Sequence, residues 1–310
     1  MKWLKRIVYL ILVLFFLLNV MAIFHAWQFT HFYPDAEKVD LKRLSYSQMA
    51  KMVFMGYEFP KSVVHDKPSL PYETINLSTD DNLKISTWFL KNDSSKNAVI
   101  LFHGHAGTKG SLVSQAEYFY SLGFSTLTID FRAHGDSDGT TCTVGFNESE
   151  EVKLAFDLLK KRGYNNIALY GVSMGAAAII KAMKDYQLPA NKLILEMPFG
   201  SLPDAVNGRM RMMGIPPTPI AQLLTFWGGV EQGYWAFDFS PCEYAKSISC
   251  PVLLQWGKLD VRVQQREIDC IYENLTSTKQ LVVYEGAGHE PLQKFNKVLW
   301  ESEVSKFLTR

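Results

Sequence analysis

Six short apolar runs separated by helical patterns set the strongest limit on how this chain folds. The runs cover residues 98–102, 125–129, 167–170, 192–195, 252–255 and 281–284. Helical periodicity covers 112–122, 148–162, 174–186 and 264–275, and a last helix is expected over 292–308. Strands apolar on both faces that alternate with helices form a parallel sheet covered on both sides. Ahead of these runs, 72–77 and 83–90 flank turn residues 78–82 and predict an antiparallel hairpin. The expected fold is α/β, with an eight-stranded, mostly parallel sheet and helices on both faces, over residues 71–310. One interval breaks the rhythm. Some fifty residues rich in Pro, Gly, Met and aromatics separate the strand ending near Glu196 from the one starting at Pro251. That is far longer than a simple crossover, and a short cap insertion at about 200–245 is expected there.

The N-terminus is of a different kind. Lys2, Lys5 and Arg6 precede an apolar run from Ile7 to Leu18 that resumes after Asn19 and reaches Phe24. With Trp27 and Tyr33 behind it, this run is about long enough to cross a bilayer. Residues 1–27 are expected to be a membrane anchor or signal segment, and 28–70 a linking and packing segment with a short helix over 46–55. Positive charge ahead of the run orients the N-terminus to the cytoplasm and puts the remaining domain of a single-pass protein outside it. The alternative is a secreted or periplasmic protein cleaved near Val20-Met21-Ala22. The net charge of +1, with no basic block, argues against a nucleic-acid partner. Of the four cysteines, Cys142, Cys242, Cys250 and Cys270, the pair Cys242–Cys250 can form a disulfide in an oxidising compartment; unpaired buried thiols are the alternative.

Gly171-Val172-Ser173-Met174-Gly175 falls between a predicted strand and a predicted helix, with Ala176-Ala177-Ala178 following. Ser173 there occupies a sharp turn that the flanking glycines make room for, and the amide of Met174 faces a developing oxyanion. A serine hydroxyl needs a base, and His289 in Gly286-Ala287-Gly288-His289-Glu290 follows the last strand. Asp260 follows the strand over 252–255 and can orient that imidazole. Glu196 competes for this role from the end of the strand after the nucleophile helix, whereas Asp269 falls within a helix. The loop Phe102-His103-Gly104-His105-Ala106-Gly107 supplies a second oxyanion amide, that of His105 with Ala106 next, and His103 is expected to bond backbone beneath the site. His103, His105 and His134 have no carboxylate or thiolate at ligand spacing, so neither a metal nor another cofactor is expected. The segment Asp130–Gly139 lacks the terminal Glu of a calcium loop and is expected to be structural, with Arg132 paired to a carboxylate.

Together, His103–Gly107, Asp130–Ser137, the turn at Ser173, the 251–260 stretch and Gly288-His289 resemble the α/β-hydrolase superfamily. The similarity is greatest to membrane-anchored serine hydrolases and the prolyl-oligopeptidase-like esterases near them, and it covers the chain from about Tyr72 onward. The resemblance implies an esterase, acyl-hydrolase or thioesterase with a Ser-His-Asp triad; a peptidase is less expected without a propeller domain. His105 departs from the smaller or amide residue such loops often carry. A catalytically silent membrane-bound binding protein and an acyltransferase are the other readings of the same fold. The partners expected are a small-molecule acyl substrate and, through the N-terminal segment, the membrane. Met210, Met212, Met213, Leu223, Leu224, Phe226, Trp227, Tyr234 and Trp235 give the cap an adaptable apolar surface that packs it onto the core, or else receives a lipophilic acyl group. Arg209 and Arg211 are expected to be solvated, with an anionic ligand as the alternative.

Overall fold

The computed structural model describes residues 2–36, 45–93 and 95–309. Eight strands form one sheet: β1 (Glu73–Ser78), β2 (Lys84–Leu90), β3 (Asn97–Phe102), β4 (Ser125–Ile129), β5 (Asn166–Val172), β6 (Lys192–Glu196), β7 (Val252–Gly257) and β8 (Lys279–Tyr284). Their spatial order is β1-β2-β4-β3-β5-β6-β7-β8. β2 runs antiparallel to both β1 and β4, and every other pair is parallel. The apolar runs become strands because both faces are covered: Val99, Ile100, Leu101, Leu169, Leu193 and Leu254 are all inaccessible. On one side, Tyr118 and Phe119 of α3 (Val113–Ser121) pack against Trp300 of the C-terminal helix Lys297–Thr309. α4 (Glu148–Lys161) packs on α5 (Met174–Tyr186), and the short helix Pro241–Tyr244 lies between α5 and the helix Gln265–Asn274.

Two expectations change. The single helix expected over 292–308 is two, Leu292–Phe295 and Lys297–Thr309, because Asn296 takes an extended φ of −143° between them. Cys242 pairs with Cys270, not Cys250, at a Cα–Cα distance of 5.7 Å. Cys250 is a buried free thiol beside β7. The helix Gln265–Asn274 brings Cys270 alongside Cys242, and no short-range spacing in the sequence reveals that pairing.

The N-terminal helix α1 (Lys2–Thr30) has two halves of opposite character. It is 29 residues long, or about 43 Å at ~1.5 Å per residue. From Trp3 to Leu17 nearly every large apolar side chain is exposed. Its composition and length are those of a membrane-crossing helix. Beyond Leu18, small residues four apart (Ala22, Ala26 and Thr30) let α7 (Ile220–Gln232) approach closely. Hydrogen bonds tie the two helices at both ends, from Trp227 to Asn19 at 3.1 Å and from Gln232 to Thr30 at 3.3 Å. Ala22 and Ala26 share a small core with Met210, Ala221 and Leu224, separate from the main one. Thus Met210 of α6 (Leu202–Met212) and Leu224 pack with the N-terminal helix and with one another's helices, whereas the sequence predicts that they rest on the sheet domain. Immediately after α1 the chain enters the main core: Phe32 is buried there, and its amide donates to Thr140 at 2.7 Å.

Candidate active site

The loops that follow β3 to β8 at the carboxyl edge of the sheet converge on one point. Because β3, β5 and β6 end in register, with Phe102 beside Gly171 and Gly171 beside Leu195, the residues that follow them emerge at the same level. Ser173 turns the chain from β5 into α5 with φ 51° and ψ −112°, a conformation side-chain-bearing residues rarely adopt. Its amide donates to the carbonyl of Glu196 at 2.8 Å, which fixes the turn to the neighbouring strand. Glycine is required on both flanks. A Cβ on Gly175 would sit 2.4 Å from the carbonyl oxygen of Phe102, and one on Gly171 would sit 2.6 Å from Ile179. Such contacts would push the turn off β3 or off its own helix.

His289 and Asp260 meet Ser173 in a line. His289 Nε2 is 3.1 Å from Ser173 Oγ, and Nδ1 is 2.6 Å from Asp260 Oδ2. The second oxygen of Asp260 accepts the amides of Arg262 at 2.7 Å and Val263 at 2.9 Å. With its side chain inaccessible, the carboxylate is held in one orientation toward the imidazole. Glu196 does not join this line. It is fully buried beneath the sheet edge, accepts the indole N–H of Trp300 at 2.5 Å, and burial pushes its pKa up to about 7. Asp269 falls in the helix Gln265–Asn274, away from this chemistry.

The upstream loop is held from below by histidines that have no exposed surface. His103 Nε2 accepts the amide of Phe131 at 3.1 Å, and His134 Nε2 accepts the amide of Ala106 at 3.1 Å. Burial lowers the first pKa to about 4 and the second to about 3, so both are neutral acceptors. With these ring nitrogens bonded to backbone they are not disposed as metal ligands, and among the described residues no cluster of His, Cys, Asp and Glu suits a metal ion. The amide of Ala106 is thereby engaged. Among the described residues, the amides of His105 and Met174 have no hydrogen-bond partner. The His105 ring packs against Phe32, centroids 5.1 Å apart, and Phe29 of α1, 6.2 Å apart.

Charged groups of the Asp130–Gly139 segment serve the scaffold. Arg132 pairs with Glu150 at 2.7 Å and with Glu151. Lys109, itself inaccessible, donates to Asp130 at 2.5 Å and to Asp136 at 2.6 Å. This lysine is absent from any motif, and only the fold reveals it as the partner of Asp130.

A cavity of about 110 Å³ opens on Ser173 and His289. Its walls include His105 and Phe199, then Arg209 and Leu224 of the cap, and finally Ala26 and Phe29 of α1. Arg209 differs from the solvated arginine expected. Its guanidinium carbon lies 5.2 Å from the ring centres of both Phe29 and Phe59, and its buried Nε has no partner. Burial and the nearby Arg262 lower its pKa, and among the described residues no carboxylate pairs with it. Arg211 is occupied, donating to the carbonyls of Val261 at 3.0 Å and Arg262 at 2.6 Å.

The sheet order is that of a known hydrolase scaffold, and comparison with known proteins agrees with that fold. The archaeal esterase Pf2001 of Pyrococcus furiosus superposes with a TM-score of 0.68 at 27% identity, over 81% of this chain and 98% of the esterase. The chain is a member of the α/β-hydrolase superfamily. Residues 93–229 match the family described as serine aminopeptidase, S33. This hydrolase is 27% identical to the Bacillus subtilis protein YqkD over 216 residues, 68% of this chain and 71% of that one. It is 29% identical to the lysophosphatidylserine lipase ABHD12 of Macaca fascicularis over 187 residues, 55% of this chain. The matched region spans 44% of that lipase.

Proposed function

We propose that this protein is a membrane-anchored serine hydrolase that cleaves a lipophilic ester or thioester through an acyl-enzyme. The observation that supports the reading is the unbroken hydrogen-bonded line from Ser173 through His289 to Asp260. Ser173 Oγ attacks the acyl carbonyl as His289 Nε2 takes its proton; Asp260 fixes the ring and stabilises the imidazolium. The amides of Met174 and His105 hold the oxyanion, and Met174 is the first residue of α5, where the helix's positive end adds to the field. Collapse expels the alcohol or thiol, protonated by His289, and water activated by the same imidazole releases the acid.

The N-terminal helix crosses the membrane in this reading, with Lys2, Lys5 and Arg6 toward the cytoplasm and the hydrolase domain on the other side. An apolar pocket beside that helix suits a lipophilic acyl group. The guanidinium of Arg209, which no carboxylate among the described residues pairs with, suits a substrate with an anionic group within a few bonds of the ester, since it offers in-plane N–H donors that aromatic rings do not accept as oxygens do. Esterase and lysophosphatidylserine lipase among the similar proteins agree in kind with such a substrate.

A fluorophosphonate probe tests the reaction class. The full-length protein in detergent should label at Ser173, and Ser173→Ala should neither label nor hydrolyse any member of a panel of acyl esters, thioesters and amides. A folded wild type that resists the probe would falsify the reading.

A further inference from the structure

The active-site cavity has a larger neighbour. A second cavity of about 600 Å³ is enclosed by α1, by α2 (Tyr46–Met55), and by α6 and α7 of the cap. Met21, Ala22, Met52, Met210 and Leu223 give it an almost wholly apolar lining. The two cavities share three wall residues, Phe29, Arg209 and Leu224, so one adjoins the other across a common partition. A volume of that order is what drug- to lipid-sized ligands occupy, and its lining offers them mainly dispersion and desolvation.

The position of the second cavity matters as much as its size. One wall is the helix whose outer half presents Trp3 to Leu17 to its surroundings. Leu18 and Met21, lining the cavity, follow directly on that exposed apolar stretch, with no polar collar except Asn19, which Trp227 occupies. The opposite wall, α2, buries none of its residues and exposes Met49, Val53, Phe54 and Met55. A short helix with apolar side chains turned outward is suited to the acyl boundary of a bilayer. It is held to α1 by His25, whose Nε2 is 2.8 Å from the carbonyl of Val53. A chain leaving the hydrocarbon region can therefore enter this cavity along α1 without crossing water.

We propose that the cavity between α1, α2, α6 and α7 is the acyl-chain subsite, and that the membrane helix is thereby one wall of the enzyme's substrate site. This rests on the serine hydrolase reading above. The substrate leaves the bilayer laterally, its chain lodges between α1 and the cap, and its carbonyl passes the partition of Phe29, Arg209 and Leu224 to reach Ser173.

The test uses the full-length protein in bilayer nanodiscs and a long-chain alkyl fluorophosphonate carrying a diazirine at the chain end. Once the probe is bonded to Ser173, irradiation should cross-link its chain to peptides containing Met21, Met52, Met210 or Leu224. Cross-links confined to other segments overturn the proposal. Labelling that fails at Ser173 altogether counts against the hydrolase reading, a different outcome. A kinetic arm uses Met21→Trp and Met52→Trp, which narrow the cavity from two helices without touching the sheet. Each should lower the ratio of kcat/KM for a C16 ester over a C4 ester by about tenfold or more, since every methylene denied burial forfeits part of the binding. Unchanged ratios in both variants, with Ser173 still labelling, sink the subsite.

Discussion

The floor and the roof of the proposed active site are built on different principles. The floor, the carboxyl edge of the sheet, is a set of short loops that specific hydrogen bonds hold in place. Asp260 accepts two amides and an imidazole, His103 and His134 each accept one amide, and Ser173 is pinned to β6. The roof is α1, α2, α6 and α7, joined mainly by small and apolar residues such as Ala22, Ala26, Met210 and Leu224, with a large cavity left between them. A floor of this kind fixes atoms to within the tolerance of a reaction. A roof of this kind has adaptable methionine surfaces and, in Arg209, a guanidinium with no carboxylate partner among the described residues, which would suit it to selecting among substrates of one reaction type. Changes in the floor should therefore alter the rate for every substrate, and changes in the roof should alter ratios between substrates.

The largest effect belongs to the floor. Asp260→Asn keeps the shape but offers His289 the wrong partner, and should lower kcat on a p-nitrophenyl ester by about 10⁴-fold. Glu196→Gln should leave turnover near that of wild type, because Glu196 is committed to Trp300, whose indole the amide oxygen of Gln can still accept. Steady-state kinetics of the two variants side by side would reassign the acid if the order of effects were reversed.

The same division explains what the sequence made legible. Floor residues sit at fixed stations: a loop after a strand, a Gly pair around a Ser, a His after the last strand. Local spacing therefore carries them, and Ser173, Asp260 and His289 come together from three separated segments. The roof depends on contacts between residues up to about 200 apart, such as Asn19 with Trp227. Nothing in the periodicity of the segment 7–24 distinguishes a helix that only anchors from one whose far end also walls a pocket. The spacing of Ala22, Ala26 and Thr30 was a sign, but small residues four apart gain meaning only once a partner helix is found against them. Lys109 and Cys270 were missed for the same reason, since each is defined by a neighbour distant in the chain.

Arg209 gives the roof its next test. Replacing it with Gln removes a cation but keeps an amide of similar reach. The ratio of kcat/KM for a long-chain ester bearing a phosphate or carboxylate near the scissile bond, over the matched neutral ester, should fall by about 10- to 100-fold, the worth of one charge-assisted hydrogen bond. Arg209→Lys should recover part of that ratio but not the bidentate share. Equal losses on both esters would instead make Arg209 a structural member of the roof, stacked between Phe29 and Phe59.

The smallest effect is a pH dependence confined to the floor. His134 has its pKa lowered to about 3 by burial, whereas in an unfolded chain it titrates near ~6.5. Between those values the unfolded state binds a proton that the folded state refuses, so folding stability falls as pH drops through the window. At pH 5 this group should cost about 2 kcal/mol relative to pH 7.5. Glu196 and Glu151, with pKa values raised to about 7 and about 8, act in the opposite direction, because the fold holds their protons more tightly than the unfolded chain does. Their contributions are common to wild type and His134→Gln and cancel in the difference. Thermal denaturation at pH 7.5, 6 and 5 should show the variant, whose amide oxygen can still accept from Ala106, losing less stability on acidification than wild type. Parallel curves would mean that the loop carrying His105 and Ala106 relaxes enough to hydrate His134, and the contrast between a fixed floor and an adaptable roof would weaken accordingly.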